Sequence, residues 1–450
     1  MADPTIPELA KQLSDTQTAL NIVWTMVAGF LVMFMQAGFA LVETGLTRAK
    51  NVAHTMGMNF LVYAIGIIGF GLQMGGVGAV FGEPAILSNE FSLTLFGKTF
   101  GLFGMKGFML HPLPTYTVGV AATFLFQMVF MDTTATIPTG ACAERWKFSS
   151  FVLFSFVIST IIYPIYANWV WGGGWLSQLG ANFGLGHGHV DFAGSSVVHL
   201  TGGVIAIVLA KMIGPRLGKY GKDGRVNPIP AHNIPQVMTG TFILAFGWFG
   251  FNAGSTLSGM DTRLAVVAVN TMIAGATGAF SAYLYAKTRW GKADPSWMAN
   301  GMLAGLVAIT APCAFVSAWA AAFIGAVAGV LVIVAAVFID SKLKIDDPVG
   351  ASAVHGVTGL FYGDAGQFMA EVIGITANIC YVAPMAALAF FVIGKIVGNR
   401  ITAEDEINGA DLGEMGVLGY APDAGPHLGV APHARQSVGS AAPVFAEKAT

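Results

Sequence analysis

Long apolar stretches alternate with short polar connections along most of the chain. A helix needs about 20 apolar residues to cross the roughly 30 Å hydrocarbon core of a bilayer. Runs of that order occur near 21–42, 52–80, 116–141, 151–171, 191–212, 234–252, 264–286, 297–312, 317–339, 351–369 and 373–397. The pattern predicts an all-α polytopic membrane protein with eleven transmembrane helices in a membrane domain over residues 21–397.

The two ends of the chain lack these runs. Residues 1–20 are polar and do not show the basic-then-apolar order of a signal peptide, so a segment outside the membrane is predicted there. Residues 398–424 are also polar, and residues 425–450 are rich in Ala, Pro and Gly. Because such a composition does not supply a buried core, the last segment is predicted to be disordered.

Composition supports this class and excludes several others. The chain is 55% hydrophobic and 10% charged, whereas a soluble domain carries about 25% charged residues. Its net charge of −2 gives no reason to expect nucleic-acid binding. The cysteines, Cys142, Cys313 and Cys380, lack the spacing of a disulfide framework or a metal site. No cofactor and no metal are therefore predicted.

Basic residues fall in alternate connections, near 48–50, 145–147, 211–225, 287–292, 342–344 and 395–400. Cytoplasmic loops of membrane proteins carry an excess of Lys and Arg. We therefore expect these connections and the C-terminus in the cytoplasm, with residues 1–20 on the outer side of a cell (inner) membrane.

One short pattern occurs twice. Residues 191–203 read DFAGSSVVHLTGG and residues 347–359 read DPVGASAVHGVTG, each with a histidine eight residues after an aspartate. Eight residues of helix span about 12 Å. The two runs are predicted to cross in opposite directions, which brings His199 and His355 near the midplane. The pattern predicts inverted repeats over about 21–212 and 234–369, with 373–397 as an extra helix.

Two buried histidines in matching positions have three interpretations. Each can bond to backbone or hydroxyl groups between helices, which is a structural role. Facing each other, two neutral imidazoles can share a proton along a dry pore, and ionisable groups within a membrane are usually functional. As a third interpretation, both rings can ligate one haem iron in a membrane oxidoreductase.

Aromatic and acidic residues near these runs also have two interpretations each. Trp171, Phe130 and Phe251 are either ordinary interface and core residues or, with Ser255, a cage for a small cation. Asp191 stands directly before an apolar helix, where it can cap the helix, attract cations, or do both.

Asp132 lies inside the third apolar run. A carboxylate there is expected to face protein or water rather than lipid. The neighbouring hydroxyls of Thr133, Thr134 and Thr136 are predicted to bond it, and Pro138 is predicted to break the local helix. Structural and functional roles for Asp132 both stay open.

Several long motifs occur in a characteristic order. They are MQAGFALVETG at 35–45, RAKNV at 48–52, GACAERWKF at 140–148, WGGG at 171–174, DFAGSSVVHLTGG at 191–203, GWFGFNAGS at 247–255, DDP at 346–348 and AVHGVTG at 353–359. With these motifs, the chain resembles the Amt/Rh family of ammonium transporters, on the Amt side, from about residue 20 to 420.

The resemblance implies a homotrimer with one narrow pore in each subunit, and ammonium or ammonia as substrate. The implied substrate-binding residues are Trp171, Ser255, Phe130 and Gln127. The implied gate and pore residues are Phe130, Phe251, His199, His355 and Thr310. Asp191 matches an acidic residue near the outer site. Residues 398–424 match a cytoplasmic regulatory region, beneath which a PII-type signal protein is a possible partner.

A mechanism follows from these roles. Burying a bare cation in hydrocarbon costs on the order of 10 kcal/mol or more. Removing the proton from an amine whose pKa lies roughly two units above the ambient pH costs only about 3 kcal/mol. A pore that deprotonates ammonium, passes ammonia and relays the proton along imidazoles therefore has the cheaper route, and it excludes potassium.

The chain departs from the family pattern in two places. Met131 and Asp132 follow the gate phenylalanine where small or apolar residues are usual. In the tail, Met415 and Val417 replace the usual histidine and acid. These departures leave altered coupling between subunits or a different partner open. A non-conducting ammonium sensor on the same fold is an alternative function, and a haem-binding oxidoreductase is a more distant one.

Overall fold

The computed structural model describes residues 4–72, 91–105, 107–110, 118–360 and 365–420. Eleven helical segments of the membrane domain, numbered along the chain, account for most of these residues. They are α1 Ile6–Leu46, α2 Val52–Gly71, α3 Val118–Cys142, α4 Phe148–Trp171, α5 Ser195–Ile213, α6 Ile234–Phe251, α7 Arg263–Trp290, α8 Pro295–Ile309, α9 Ala318–Ser341, α10 Ser352–Val357 and α11 Ala365–Ile396.

The predicted all-α membrane class is confirmed, but the count of eleven spans is not. Within the described residues, nine helices are long and apolar enough to cross a membrane. The two short segments are α8 and α10. The 15 residues of α8 rise only about 22 Å, and α10 has 6 residues in a wide π-helical turn. Hydropathy does not locate the ends of a helix within an apolar run, so the shortness of these two segments was not predicted.

The N-terminal segment is helical in the structure. The first helix begins at Ile6, so most of the polar segment over residues 1–20 is continuous with α1. The Thr5 amide donates to the Glu8 carboxylate over 2.7 Å, and Pro7 lies in the first turn. Both features favour a helix start. Residues 73–80 and 425–450, about which the sequence makes predictions, lie outside the described residues.

A two-stranded hairpin was not predicted. Strands β1 (Phe91–Leu95) and β2 (Lys98–Phe103) pair antiparallel around a turn with positive φ at Phe96 and Gly97. The hairpin lies against the end of α4, because the Trp169 indole donates to the Leu102 carbonyl over 2.9 Å. Its sequence, FSLTLFGKTFGLF, alternates apolar and polar residues over so few positions that it resembles an irregular loop between helices.

Small residues bring the long helices close together. At the contact of α1 with α6, a Cβ on Gly240 would lie 2.7 Å from the carbonyl oxygen of Gly38, which is too close for any side chain. Glycines at such contacts let helix backbones approach in a membrane.

A buried ionic cluster joins the basic connections of one face. Arg216 bonds Glu144 over 2.7 Å and Asp346 over 2.8 Å, and all three side chains are almost fully buried. Burial favours a raised pKa for Asp346, but the hydrogen bonds and charge of Arg216 hold that pKa well below its usual range. Arg48 also pairs with Glu144. The cluster therefore fixes several connections to one another.

The C-terminal segment folds back onto this same face. The Asp411 carboxylate accepts from the backbone amide of His54 over 2.9 Å, and the Glu414 carboxylate from that of Phe148 over 2.7 Å. Met415, one of the two departures from the family's tail pattern, lies against Gly57, where a Cβ would be 2.7 Å from the Met415 Cε. Residues 401–420 are thus held against the start of α2 in the same chain.

Candidate functional site

Four buried rings form a continuous column through the helical bundle. Phe130 of α3 and Phe251 of α6 are stacked, with ring centroids 4.1 Å apart and planes 17° from parallel. Below them, His199 stacks on Phe251 at 5.2 Å, and His355 stacks on His199 at 5.1 Å. Phe130, Phe251 and His199 are fully buried, and His355 is nearly so. Side chains 225 residues apart in sequence therefore lie in one line.

The two histidines are in direct contact. Their Nδ1 atoms are 3.1 Å apart, a hydrogen-bond distance at which one nitrogen donates and the other accepts. The Nε2 atom of His199 is buried and has no hydrogen-bond partner among the described residues. A buried polar atom without a partner is costly. This nitrogen is therefore available to a small polar molecule in the column.

Trp248 completes the wall beside His199. Its indole stacks on the imidazole at 5.5 Å, 20° from parallel, and its Nε1 donates to the Thr310 hydroxyl over 3.2 Å. The sequence analysis included Thr310 but not Trp248. A signal was present, because Trp248 precedes Phe251 by three residues and therefore lies on the same face of α6.

The duplicated stretches have matching local structures. Both histidines lie in π-helical turns, Ser195–Leu200 and Ser352–Val357. Asp191 receives hydrogen bonds of 2.8–2.9 Å from four backbone amides of its turn, Gly194, Ser195, Ser196 and Val197. Asp347 similarly accepts from the amides of Gly350 and Ser352. Each aspartate thus holds the start of the turn that carries its histidine.

Glycines let the two turns cross. A Cβ on Gly203 would lie 2.2 Å from the backbone nitrogen of Gly356, and one on Gly359 would lie 2.9 Å from the Ser195 carbonyl oxygen. Such distances exclude any side chain larger than hydrogen without a shift of the backbone. The crossing therefore sets how close the two imidazoles can come.

The Phe130 end of the column contains the other predicted site residues. Trp171 contacts Phe130 edge-on with centroids 6.1 Å apart, and its indole donates to the Asp191 carbonyl over 2.7 Å. Ser255 lies one turn after Phe251 and donates to its carbonyl over 2.8 Å. The structure therefore joins Trp171 directly to Phe130, and Asp191 holds both the tryptophan and the histidine turn.

Gln127 lies one turn before Phe130 on α3. It is buried and accepts a long 3.4 Å hydrogen bond from the Tyr163 hydroxyl. It is near the column through its helix, but in the described residues no contact with Trp171 or Ser255 joins it to the site at the Phe130 end.

Two predictions about Asp132 are wrong. Helix α3 continues through Pro138 to Cys142, because the residues around it are fully enclosed by other helices. The hydroxyls of Thr133, Thr134 and Thr136 bond backbone carbonyls four residues earlier on α3 instead of the carboxylate.

Asp132 itself faces away from the column. It is two residues, or about 200° of helix rotation, from Phe130. It approaches α2, where a Cβ on Gly66 would be 3.4 Å from its Oδ1. That oxygen is buried without a hydrogen-bond partner among the described residues. We find no role for Asp132 in the column.

The geometry does not fit a haem between the histidines. Two metal–nitrogen bonds of roughly 2 Å would separate the ligating atoms by about 4 Å, whereas the Nδ1 atoms are 3.1 Å apart and the rings are stacked. In the described part of the chain, no cluster of three or more His, Cys, Asp or Glu could hold a metal ion. The arrangement instead suits a narrow path for a small polar molecule.

Comparison with known proteins identifies relatives over nearly the whole chain. The model of a family described as "Ammonium Transporter Family" matches residues 23–420. "Ammonium transporter Amt2" of Archaeoglobus fulgidus is 40% identical over 93% of this chain and 92% of its own length. "Ammonium transporter Amt1" of Haloferax mediterranei is 37% identical over 94% of this chain and 84% of its own length.

Solved structures give the same fold. A protein titled "Sensor Amt Protein" superposes with a TM-score of 0.79 at 34% identity, over 89% of this chain and 99% of its own. Candida albicans Mep2 superposes with a TM-score of 0.73 at 25% identity, over 92% of this chain and 93% of its own.

Proposed function

The chain belongs to the Ammonium Transporter Family, a family of membrane transporters and not of enzymes, and we propose that it conducts ammonium through the ring column. Ammonium is recruited between Trp171, Ser255 and Phe130, with Gln127 nearby. It loses its proton, passes the gate of Phe130 and Phe251 as ammonia, and continues past His199 and His355 while the proton follows along the two imidazoles.

The observation that carries this proposal is the unbroken stack from the gate to the histidine pair. A path lined by aromatic faces offers a cation π contacts at its entrance but few oxygen ligands inside. Ammonia can accept or donate single hydrogen bonds, as the free Nε2 of His199 requires. The column therefore suits a small neutral amine better than a hydrated or bare metal cation.

The energies support the same order of steps. Leaving the proton behind costs about 3 kcal/mol, whereas carrying the charge into an apolar column costs on the order of 10 kcal/mol or more. Sodium and potassium have no proton to lose and meet the larger barrier. Asp191, which is almost fully buried beside Trp171, supplies negative charge near the entrance and favours cations there.

Sidedness and assembly form part of the proposal. The face that carries the basic connections and the folded tail is assigned to the cytoplasm by the positive-inside rule, and the Trp171 end to the outside. Residues 398–424 are assigned as a regulatory region open to a PII-type partner. A homotrimer, with one pore in each subunit, is the proposed assembly.

The experiment records current from proteoliposomes on a solid-supported membrane after an ammonium jump, with sodium and potassium jumps for comparison. We expect a transient specific to ammonium that is lost when both His199 and His355 are replaced by leucine. The exposed His187, replaced in the same way, is the matched control and should leave the current unchanged. An undiminished, selective current in the double variant refutes the proposed path.

A second candidate function is ammonium sensing without conduction. It is favoured by the similarity to the structure titled "Sensor Amt Protein". Ammonium binding measured by calorimetry, together with no current in the wild-type protein, would support sensing through a partner at the folded tail. A selective wild-type current would favour transport.

A further inference from the structure

A cavity lies on the far side of the histidine pair from the gate. Its wall includes His355 but neither His199 nor Phe251, so it adjoins only the last ring of the column. Apolar residues of α1, α6, α8 and the 349–355 stretch form most of its surface. The polar side chains in the wall besides His355 are Glu43 and Asn300.

Glu43 is a buried carboxylate with neutral partners. Its side chain is 3% exposed. Oε2 accepts from the Asn59 amide over 2.7 Å, and both oxygens accept from the Thr139 hydroxyl over 2.8 and 3.0 Å. Arg48, which is close to Glu43 in the sequence, pairs with Glu144 instead, and so does Arg216. No basic residue pairs with Glu43 in the described ranges.

Local structure does not require an acid at this position. Asn59 and Thr139 are donors, and a glutamine carbonyl could accept from both. An ionised carboxylate buried without a cation is expensive, and such residues inside a membrane are usually functional. What distinguishes a carboxylate from a carboxamide here is its ability to take up and release a proton.

The position of Glu43 suits the exchange of a proton between the ring column and the face that carries the basic connections. It is one turn from Phe39, whose ring lies 6.2 Å from that of His355, so α1 contacts both the histidine and the cavity. Three residues later α1 ends at Leu46, next to the basic connection that contains Arg48. Glu43 thus lies between the inner histidine and the surface where a proton leaves.

We propose that Glu43 exchanges the relayed proton with His355 across this cavity. The inference rests on the proposed function. The protonated histidine pair releases a proton through water in the cavity to the Glu43 carboxylate, and the pair becomes neutral. The neutral carboxylic acid then gives that proton to ammonia leaving the column, which re-forms ammonium and the carboxylate. No other reactant is consumed.

The test compares Glu43→Gln with Asp132→Asn. Both changes remove a buried carboxylate within the membrane domain and keep its shape, but only Glu43 lines the cavity at His355. Proteoliposomes containing the full chain are given an ammonium jump, and charge movement and internal pH are recorded together. A general acid or base contributes about 10²–10⁴-fold to a proton transfer. We therefore expect the Glu43→Gln current to fall about tenfold or more, with Asp132→Asn within about twofold of wild type.

A second variant keeps the inference testable if Glu43→Gln fails to fold. Asn300→Leu keeps Glu43 and its donors but removes the one other polar side chain among the described residues that line the cavity beside Glu43 and His355, so a loss of current in the same direction is expected. Glu43→Asp retains an acid and should recover part of it. A Glu43→Gln current within twofold of wild type, or an equal loss in Asp132→Asn, overturns the inference. Absence of current in the wild-type protein instead overturns the proposed function, so the two failures are distinguishable.

Discussion

Replacing Gly203 by alanine should separate the two histidines. The added methyl group would lie 2.2 Å from the backbone nitrogen of Gly356 and 2.4 Å from its Cα, and backbone atoms cannot rotate away as a side chain can. Ordinary van der Waals contact begins near 3.4 Å. The two turns must therefore move apart by about 1.2 Å, the difference between 3.4 and 2.2 Å.

The size of that shift decides its effect on the imidazole pair. If half of it reaches the rings, the 3.1 Å contact between Nδ1 atoms lengthens to about 3.7 Å, beyond a hydrogen bond. Overpacking of this kind typically costs about 1–3 kcal/mol, so the protein is still expected to fold. Proton transfer between the rings should suffer more than stability, because it depends steeply on that distance.

The assay is the ammonium-evoked current, with the apparent melting temperature measured on the same preparation. We expect Gly203→Ala to lose about tenfold or more of the current, with melting lowered by a few degrees. Gly356→Ala is the matched control, because its methyl group would be 3.5 Å from the nearest atom and needs no shift. Equal currents in the two variants would refute the argument that this crossing sets the histidine spacing.

Three further predictions concern the Arg216 cluster and the folded tail. Arg216→Met leaves the buried Asp346 carboxylate without its ion-pair partner, while Glu144 keeps Arg48, and should destabilise the protein by about 3–5 kcal/mol, whereas the same change at the exposed Arg225 should leave the melting temperature unchanged. The pKa of Asp346 is lower in the folded protein than in the unfolded chain, where it is near 4. Its contribution to stability is therefore complete above about pH 4 and is lost as the pH falls towards the folded-state pKa. The wild-type melting temperature should fall more steeply below about pH 4 than that of Asp346→Asn, and parallel curves would contradict this. Asp411→Asn weakens charge-assisted hydrogen bonds worth about 1.5–3 kcal/mol each, so limited proteolysis of residues 401–420 should accelerate about tenfold; an equal effect in the exposed Glu404→Gln would mean that the contact is unimportant.

The sequence predicted the residues of the column better than it predicted the lengths of the helices. The duplicated pattern placed His199 and His355 together, because each histidine follows its aspartate by eight residues in runs predicted to cross in opposite directions. Both side chains are then expected at the same depth. Helix α8 is different. The predicted run over 297–312 ends early, because the helix stops at Ile309 and turns follow it.

Contacts between distant residues were the least predictable part. Nothing near Glu43 in the sequence indicates Asn59, Thr139 or the cavity at His355, because these neighbours come from three other elements. Asp132 shows the opposite error. The threonines next to it in sequence suggested hydrogen-bond partners for its carboxylate. In a helix, however, threonine hydroxyls commonly bond the backbone carbonyls of the preceding turn.

The stacked gate has a kinetic consequence. An aromatic pair such as Phe130 and Phe251 is worth about 0.5–1.5 kcal/mol beyond the area it buries. That energy alone would leave the rings separated for roughly a third to a thirteenth of the time, since about 1.4 kcal/mol corresponds to a factor of ten. On the proposed path, the two phenylalanines would therefore part often enough to admit ammonia while rejecting bulky or hydrated species, and the slow event in each cycle is expected where the proton changes partners.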